Sequence, residues 1–331
     1  GRHVAVYDPR TREMKHVSTC FGTHHLMFAE DADNTLWLSG GGPVVGWVNT
    51  RLWDETGDEE RAQGWTALVL DTNGNGRRDA YVEPDAPADP ARDRRIGTGE
   101  YGGGVYALAP APDGSVWGTT FGFPGALVRI SPGANPPETA LTEVFEVPWN
   151  NPAVANQGFS PRGGDVDRNG VYWAALASGH MASFDRRKCR GPLNGPAATG
   201  QHCPEGWSFY AEPLPQLGNV TSPGSGEGSY FTWVDQFNTL GLGENVPINT
   251  GNQSEGLLVL KDGKWVVLRV PYPMGFYTKW MDGRIDDPGA GWKGRGLWAS
   301  ISTRTPYHME GGKGATSKAI RFQLRPDPLA R

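Results

Sequence analysis

Short apolar runs alternate along the chain with turns of Asp, Asn, Gly and Pro, and four of these runs carry a tryptophan. They are Leu36-Trp37-Leu38-Ser39, Val116-Trp117-Gly118-Thr119, Tyr172-Trp173-Ala174-Ala175 and Leu297-Trp298-Ala299-Ser300. The first three follow a tight turn, and small and apolar residues precede each turn. Since no stretch of about twelve residues has apolar positions at helical spacing, the repeated unit is a strand, a turn and a tryptophan strand. Such a repeat is typical of an all-β fold, the β-propeller.

The repeat divides the chain into five modules, which we expect to be four-stranded blades of one propeller domain over residues 1–331. The modules begin near His24, Gly103, Arg162, Ser229 and Tyr277. In the second module we predict strands over residues 103–109, 115–119, 125–130 and 143–147, and in the third over residues 163–166, 171–176, 180–185 and 207–210. We expect residues 44–98 to form an insertion in the first module and residues 238–254 to form a polar loop in the fourth.

Both ends of the sequence are predicted to lie within a blade. Residues 1–9 match the third strand of a module, residues 15–18 would be its fourth strand, and residues 319–324 again match a third strand. An open propeller leaves unpaired strand edges. We therefore expect either that the terminal strands complete a blade together or that further blades precede this sequence, in a parent protein of about seven blades.

The composition agrees with this architecture and excludes some partners. With 47 Gly, 27 Pro and only 20% charged residues, the sequence suits many short strands joined by turns. The formal net charge is -5 and Lys and Arg form no dense cluster, so neither nucleic acid nor an anionic membrane surface is an expected partner. No apolar run approaches the roughly 20 residues of a membrane-spanning helix.

The three cysteines bear on the cellular compartment. Cys189 and Cys203 bracket a loop rich in Gly, Pro and Asn, and a disulfide between them would stabilise the fold by about 3 kcal/mol. Cys20 is then left as a free thiol or as the partner of a segment outside this sequence. Together with the calcium-type loop described below, the bridge predicts a periplasmic or extracellular location.

The second module carries the pattern of a known group of propellers. Ala111-Pro112-Asp113-Gly114-Ser115-Val116-Trp117 joins an inner strand to the tryptophan strand, and residues 125–132 supply the next strand and end in Ser-Pro. This pattern resembles streptogramin (virginiamycin B) lyase-like propellers and the related NHL and gluconolactonase-like groups, over three of the five modules. The resemblance implies a propeller in which a metal and a set of His and Glu residues, at the centre of the funnel, open a lactone by elimination.

The segment from Asp71 to Asp79, Asp-Thr-Asn-Gly-Asn-Gly-Arg-Arg-Asp, has the spacing of a calcium loop. Oxygen-bearing side chains occur at positions 1, 3, 5 and 9, glycine lies at position 6 where the chain must turn sharply, and position 7 can offer its backbone carbonyl. Strand-like flanks, and Val82 rather than Glu at position 12, make it similar to the calcium hairpins of integrin-α-type propellers. The alternative is an Asn-Gly-rich hairpin without a metal. The predicted calcium ligands are Asp71, Asn73, Asn75, Arg77 and Asp79.

Histidine is scarce, with seven residues, and the candidates for catalysis lie mainly where inner strands begin. Imidazoles from separate blades could bind a transition metal such as Zn, Fe or Cu in the central channel. A neighbouring carboxylate could act as general acid or base, and an inward arginine could hold an anionic substrate. Alternatively, the histidines cap turns or fill polar core positions, and the charged residues form ion pairs or solvate the channel. The candidates are His24, His25, Arg162, Glu255 and His308. Asp235 is predicted at an inner-strand position like that of Arg162, and Glu227, like Glu255, in a loop rich in Gly and Ser.

Two functions follow from these residues. The first is an extracytoplasmic, calcium-stabilised propeller enzyme, a metal-assisted lyase or hydrolase that acts on a cyclic ester or a glycoside at the mouth of the channel. The second is a non-catalytic propeller that presents its loops to a small molecule, a polysaccharide or a protein. A transition metal held by two or more histidines would favour the enzyme, whereas calcium alone would favour the binding protein.

Overall fold

Strands account for most of the regular structure in the computed structural model, which describes residues 1–40, 42–219, 223–271, 275–301, 318–327 and 329. The contacts divide the chain into two compact units. Unit 1 comprises Gly1–Pro148 and Arg187–Glu205, and unit 2 comprises Trp149–Arg186 and Gly206–Arg331. The expectation of one domain over the whole sequence stays a prediction.

Unit 1 begins with a hairpin and a four-stranded antiparallel sheet. The hairpin pairs β1 (His3–Asp8) with β2 (Glu13–Ser18). The sheet has the order β3 (Leu26–Phe28), β4 (Thr35–Ser39), β5 (Val44–Asn49) and β6 (Gln63–Ala67). Helix α1 (Thr50–Thr56) connects β5 to β6. The side chain of Asn49 accepts a hydrogen bond from the N–H of Leu52 at the start of α1, and Gly57 ends the helix at a φ of 68°.

The second sheet of unit 1 has seven strands. Three short strands come first in the chain and lie at one edge of the sheet: β7 (Val69–Leu70), β8 (Tyr81–Val82) and β9 (Asp93–Arg95). The four main strands follow in chain order as an antiparallel meander: β10 (Val105–Pro110), β11 (Val116–Thr120), β12 (Ala126–Ser131) and β13 (Leu141–Glu146). Strand β7 runs parallel to β13, and helix α2 (Pro136–Thr139) links β12 to β13.

Unit 2 is also built of antiparallel meanders. Its first sheet contains β14 (Pro161–Val166), β15 (Tyr172–Leu176), β16 (His180–Phe184) and β17 (Trp207–Ala211). Its second sheet contains β18 (Thr232–Asp235), β19 (Val246–Gly251), β20 (Gly256–Lys261) and β21 (Lys264–Arg269). A third sheet contains β22 (Met281–Ile285), β23 (Arg295–Ile301) and β24 (Lys318–Phe322). Short 3-10 turns occur at Glu100–Gly102, Arg186–Lys188, Pro204–Gly206 and Pro288–Gly294.

Each four-stranded meander is built like the blade of a β-propeller, and we call its first strand the inner strand. The fold class predicted from the sequence, an all-β propeller, is confirmed. The strands predicted in the second and third modules agree within two residues with β10 to β13 and with β14 to β17.

Three boundaries differ from the prediction. Residues 44–67 are not an insertion, because they supply β5 and β6 of the first blade. Gly46 interrupts the apolar pattern of β5 because the ring of Phe21 occupies the space of its missing side chain. The polar stretch 238–254 contains β19, in which even Asn249 and Thr250 are buried. The last sheet has three strands rather than four in the part of the chain that the structure describes.

The repeated tryptophans pack within their sheets. Trp37 and Trp117 are buried, and Trp173 and Trp298 are half-buried. The Trp117 ring stacks on Phe145 of β13 with centroids 6.1 Å apart, and the Trp173 ring stacks on Tyr210 of β17 with centroids 5.9 Å apart. In these two blades the tryptophan joins the second strand to the fourth through aromatic contact, whereas the Trp37 ring lies 5.3 Å from that of Trp47 on the third strand of its sheet.

Candidate ligand and metal sites

The inner strands carry a polar, aromatic or basic side chain at one shared position. In four sheets, one residue of the inner strand pairs with the tryptophan of the next strand, and the shared position lies three residues before that residue. In the sheet that lacks this tryptophan, Ile248 takes its place in the pairing. The residues at the shared position are His24, Tyr106, Arg162, Tyr230 and Lys279. Each lies where the chain enters its sheet.

In unit 1 the shared position brings two histidines against a tyrosine. The ring centroids of His24 and His25 are 4.6 Å apart, and they lie 4.9 Å and 4.7 Å from the centroid of the Tyr106 ring. His24 is exposed, His25 is half-buried and Tyr106 is buried. The carbonyl oxygen of Tyr106 lies 3.4 Å from Nδ1 of His24 and accepts a hydrogen bond from Ser39 Oγ at 2.6 Å. We call His24, His25 and Tyr106 the histidine cluster.

In unit 2 the shared position gathers two cations around one tyrosine. The guanidinium carbon of Arg162 lies 5.2 Å from the centroid of the Tyr230 ring, and Nζ of Lys279 lies 4.5 Å from the same centroid. The ring of Tyr277 follows at 6.3 Å from that of Tyr230. All four side chains are half-buried, so a ligand that arrives from the solvent can contact part of each one. We call Arg162, Tyr230 and Lys279 the cation–tyrosine cluster.

Backbone hydrogen bonds hold the cation–tyrosine cluster in place. The N–H of Gly163, next to Arg162, donates to the carbonyl of Tyr230 at 2.9 Å, which joins β14 to the start of β18. The N–H of Thr278, next to Lys279, donates to the side chain of Asn252 at 3.0 Å. The backbone of the cluster is therefore held by the fold, which limits the entropy that a ligand would have to offset.

The other residues proposed for catalysis do not belong to the histidine cluster. Glu255 occupies the turn between β19 and β20 at a φ of 52°, and its carbonyl accepts the N–H of Val270 at 2.9 Å. Arg162 and Glu255 belong to unit 2, whereas the two histidines belong to unit 1. His308 lies outside the residues that the structure describes. The contacts bring His24 and His25 together, and the complete catalytic set stays a prediction.

The sequence suggested that Asp235 lies at the start of an inner strand, and this is wrong. It ends β18, where its buried carboxylate accepts the N–H groups of Thr239 at 2.6 Å and Leu240 at 2.8 Å. A carboxylate that accepts two backbone N–H groups shapes the loop that follows. Asp235 is therefore a structural residue.

Two buried carboxyl groups lie between β17 and β18. Glu227 accepts a hydrogen bond from Ser254 Oγ at 2.6 Å. Glu212 accepts at Oε1 from Ser229 Oγ and from Asn249 Nδ2, the latter at 2.6 Å, while its Oε2 has no hydrogen-bond partner among the residues described. Burial raises the pKa of Glu212 to about 8, although the hydrogen bonds from Ser229 and Asn249 act in the opposite direction. Glu212 is therefore protonated at neutral pH.

The nine-residue loop from position 71 to position 79 folds around its first carboxylate. Buried Asp71 accepts the N–H of Gly76 at 2.8 Å, and Gly76 takes a φ of 75°, where a side chain would be strained. The side-chain amides of Asn73 and Asn75 both donate to Oδ2 of Asp79, at 2.9 Å and 2.6 Å. The side-chain oxygens of Asn73 and Asn75 accept the backbone N–H groups of Asn75 and Arg77. The residue types at positions 1, 3, 5 and 9 are those whose oxygens a hard cation such as calcium binds.

The predicted disulfide between Cys189 and Cys203 is present, with a Cα–Cα distance of 5.0 Å. The loop that it closes belongs to unit 1 and reaches the nine-residue loop, because the N–H of Gly195 donates to the carbonyl of Asp71 at 2.8 Å. Cys20 is exposed and its thiol is free. The disulfide is compatible with an oxidising compartment.

Neither metal prediction is decided by side-chain geometry. In the described ranges, no group of three His, Cys, Asp or Glu side chains is placed to hold a metal ion. The nine-residue loop would draw on amide and carbonyl oxygens as well, and His308 is outside those ranges. In the same part of the chain, no helix is long and apolar enough to cross a membrane.

Solved structures with a similar fold are propellers of low sequence identity. A catalytically inactive variant of virginiamycin B lyase from Staphylococcus aureus, with quinupristin, is 12% identical and matches 98% of this chain and 75% of its own, at a TM-score of 0.44. A protein from Bacteroides uniformis, provisionally assigned as a 6-phosphogluconolactonase, is 10% identical over 98% and 75% of the two chains, at a TM-score of 0.49. A Bacteroides caccae protein of unknown function is 10% identical over 90% and 78%, at a TM-score of 0.45.

In fold, the chain is similar to the virginiamycin B lyase-like propellers. At these identities the likeness concerns the fold alone, and no functional residue is carried over from those proteins. No protein-family model matches the chain, and a search of curated proteins finds no relative.

Proposed function

We propose that this chain is an extracytoplasmic β-propeller that binds a carboxylate-bearing sugar at the cation–tyrosine cluster, and that calcium in the nine-residue loop stabilises it. The observation that carries the proposal is the pair of cations at one ring, since the guanidinium of Arg162 and Nζ of Lys279 lie 5.2 Å and 4.5 Å from the centroid of Tyr230. The disulfide supports the extracytoplasmic location, because cytosolic thiols are usually kept reduced.

The chemistry of the cluster selects an anion with an apolar face. Each cation is attracted to the face of the Tyr230 ring, and an anion bound beside that ring would be attracted by both positive charges. The guanidinium of Arg162 can pair with both oxygens of a carboxylate, and Lys279 supplies a second positive charge. The rings of Tyr230 and Tyr277 offer surfaces on which the C–H face of a sugar can pack.

Titration calorimetry with glucuronate and with glucose tests the ligand class. We expect glucuronate to bind and glucose to bind at least about tenfold more weakly, because a charge-assisted hydrogen bond contributes roughly 1.5–3 kcal/mol. Arg162→Ala and Lys279→Ala should each weaken glucuronate by a similar factor. The matched control is Arg168→Ala, whose guanidinium lies 5.3 Å from the Phe237 ring, outside the cluster. Equal affinity of wild type and Arg162→Ala would contradict the proposal.

Thermal melting in calcium and in chelator tests the calcium site. An ion that binds only the folded state stabilises it by about 2.7 kcal/mol at a hundred times its Kd, so we expect a lower melting temperature in chelator. Asp79→Ala should abolish the difference, whereas Asp85→Ala, at an exposed position, should preserve it. A melting curve of the wild type that is unchanged in chelator would exclude the site.

A second candidate function, lyase or hydrolase activity, is favoured by the histidine cluster. The exposed imidazole of His24 could act as a general base. In an elimination it would remove a proton next to the carbonyl of a cyclic ester while the C–O bond breaks, and in a hydrolysis it would remove a proton from the attacking water. Mass spectrometry of the products from a panel of lactones, with and without added zinc, distinguishes elimination from hydrolysis, because only hydrolysis adds the mass of a water molecule to the product. His24→Ala should abolish turnover, whereas His16→Ala, at an exposed position on β2, should not.

A further inference from the structure

Asp93 lies beside the nine-residue loop although it is fourteen residues beyond the end of it. It begins β9, which pairs with β7 before the loop and with β8 after the loop. Its side chain is fully buried, with 0% exposed. Strand pairing therefore places Asp93 next to both ends of the loop.

One of the two oxygens of the Asp93 carboxylate has a hydrogen-bond partner in the protein. Oδ2 accepts the N–H of Asp79 at 2.7 Å. Oδ1 is buried and has no hydrogen-bond partner among the described residues. A buried carboxylate oxygen without a partner is costly, and folded proteins contain few of them. The backbone N–H of Thr72 also acts on this carboxylate, but no donor among the described residues meets the geometry of a hydrogen bond to Oδ1. Oδ1 therefore has room for a further partner.

Three carboxylates share this corner of unit 1. Asp71 and Asp79 lie close enough to Asp93 for their negative charges to act on it. The guanidinium of Arg78 also interacts with Asp93 electrostatically, but Nη1 of Arg78 is bonded to Thr66 Oγ1 at 2.9 Å. Arg77 also acts electrostatically on Asp79. Two cations for three carboxylates still leave a negative charge, which favours binding of a cation.

We propose that Asp93 is a further ligand of the calcium ion, bound through Oδ1, and that it ties the ion to β9. This inference rests on the proposed calcium site in the nine-residue loop. Calcium takes six to eight oxygen ligands, and its affinity depends on the number of charged ones. The loop supplies the carboxylates of Asp71 and Asp79, and Asp93 adds a third.

The variant Asp93→Asn tests this assignment, because it keeps an oxygen that can accept the N–H of Asp79 but removes the charge. Calcium affinity is measured by titration calorimetry on the full chain, and melting temperature is measured in chelator. We expect calcium to bind about tenfold or more weakly. In chelator we expect the variant to melt at a temperature no lower than that of the wild type, because a buried repulsive charge has been removed. Asp85→Asn, at an exposed position in the same segment, is the control and should change neither quantity.

The outcomes separate the two proposals. If the wild type binds no calcium, the loop site itself is wrong and the role of Asp93 fails with it. If the wild type binds calcium and Asp93→Asn binds it equally well, only the assignment of Asp93 is overturned. A variant that melts lower in chelator with unchanged calcium affinity would show Asp93 to be a hydrogen-bond acceptor alone. Should Asp93→Asn fail to fold, Asp93→Ser is measured in its place against the same two criteria.

Discussion

Glu212 shows how burial of one carboxyl group sets a pH dependence. Its usual pKa of 4.5 is raised to about 8 by burial in the folded protein. The folded state therefore binds more protons than the unfolded state between these values, so the stabilisation is complete below pH 4.5 and is lost as the pH rises to about 8. Asp165 contributes a loss of the same sign, because burial raises its pKa to about 7. His180 does not titrate in this range, because burial lowers its pKa to about 4.

We predict that Glu212→Gln removes this loss. A glutamine resembles the protonated acid, so the variant should have a higher free energy of unfolding than the wild type at pH 8, by roughly 2 to 4 kcal/mol. The gap should narrow as the pH falls to 6.5. Urea denaturation at several pH values checks this. Glu244→Gln, at a side chain that is 61% exposed, should leave the profile unchanged, and parallel profiles for wild type and Glu212→Gln would refute the assignment.

The candidate sites could be predicted from the sequence where local spacing specifies them. The nine-residue loop is local in the sequence, and Asn73 and Asn75 donate hydrogen bonds to Asp79 within it. Its binding of calcium stays a prediction. Asp93 could not be predicted, because its place beside the loop depends on the pairing of β9 with β7 and β8. Lys279 was missed for a related reason. Its equivalence to Arg162 appears only when the register of each inner strand is known.

At the scale of elements, the tryptophan strands predict the second and third blades well, because a tight turn precedes Trp117 and Trp173 and each ring stacks on an aromatic residue of its own sheet. The strands of the first blade were harder to predict from the sequence. Gly46 breaks the apolar run of β5, and the reason is the ring of Phe21, which comes from a segment far back in the sequence. Strand β19 was hidden by its polar residues, since Asn249 is buried and bonded to Thr232 and Glu212. Tertiary partners thus overrode local composition in both strands.

The loop closed by Cys189 and Cys203 should be coupled to the calcium site. The bond from the N–H of Gly195 to the carbonyl of Asp71 connects them. Opening the disulfide should cost about 3 kcal/mol of stability, and it should also weaken calcium binding. Because such coupling is reciprocal, calcium should slow reduction of the disulfide by dithiothreitol. Thiol release measured with and without calcium, with potassium chloride as the ionic-strength control, checks this. Equal rates would exclude the coupling.

At the scale of the whole molecule, the calcium effect should be confined to one of the two units. The nine-residue loop, β9 and the disulfide loop all belong to unit 1. We predict that calcium slows amide hydrogen exchange over residues 66–96 and 187–205 and leaves β18 to β21 of unit 2 unaffected. Mass spectrometry of peptic fragments, in calcium and in chelator, makes the measurement. Equal protection of both units would contradict this localisation.

Unit 1 is not continuous in the sequence, and this has a consequence for synthesis on the ribosome. Its segment Arg187–Glu205 lies between β16 and β17, within the first sheet of unit 2. The first 148 residues therefore leave the ribosome without the partners of Asp71 and Glu146, which are the backbone groups of Gly195 and Gly200. Translation must pass residue 205 before unit 1 can be completed, when β14, β15 and β16 have already been made. A gene fragment that stops at Pro148 would thus encode an unfinished unit, and a fragment that contains all of unit 1 must extend to Glu205.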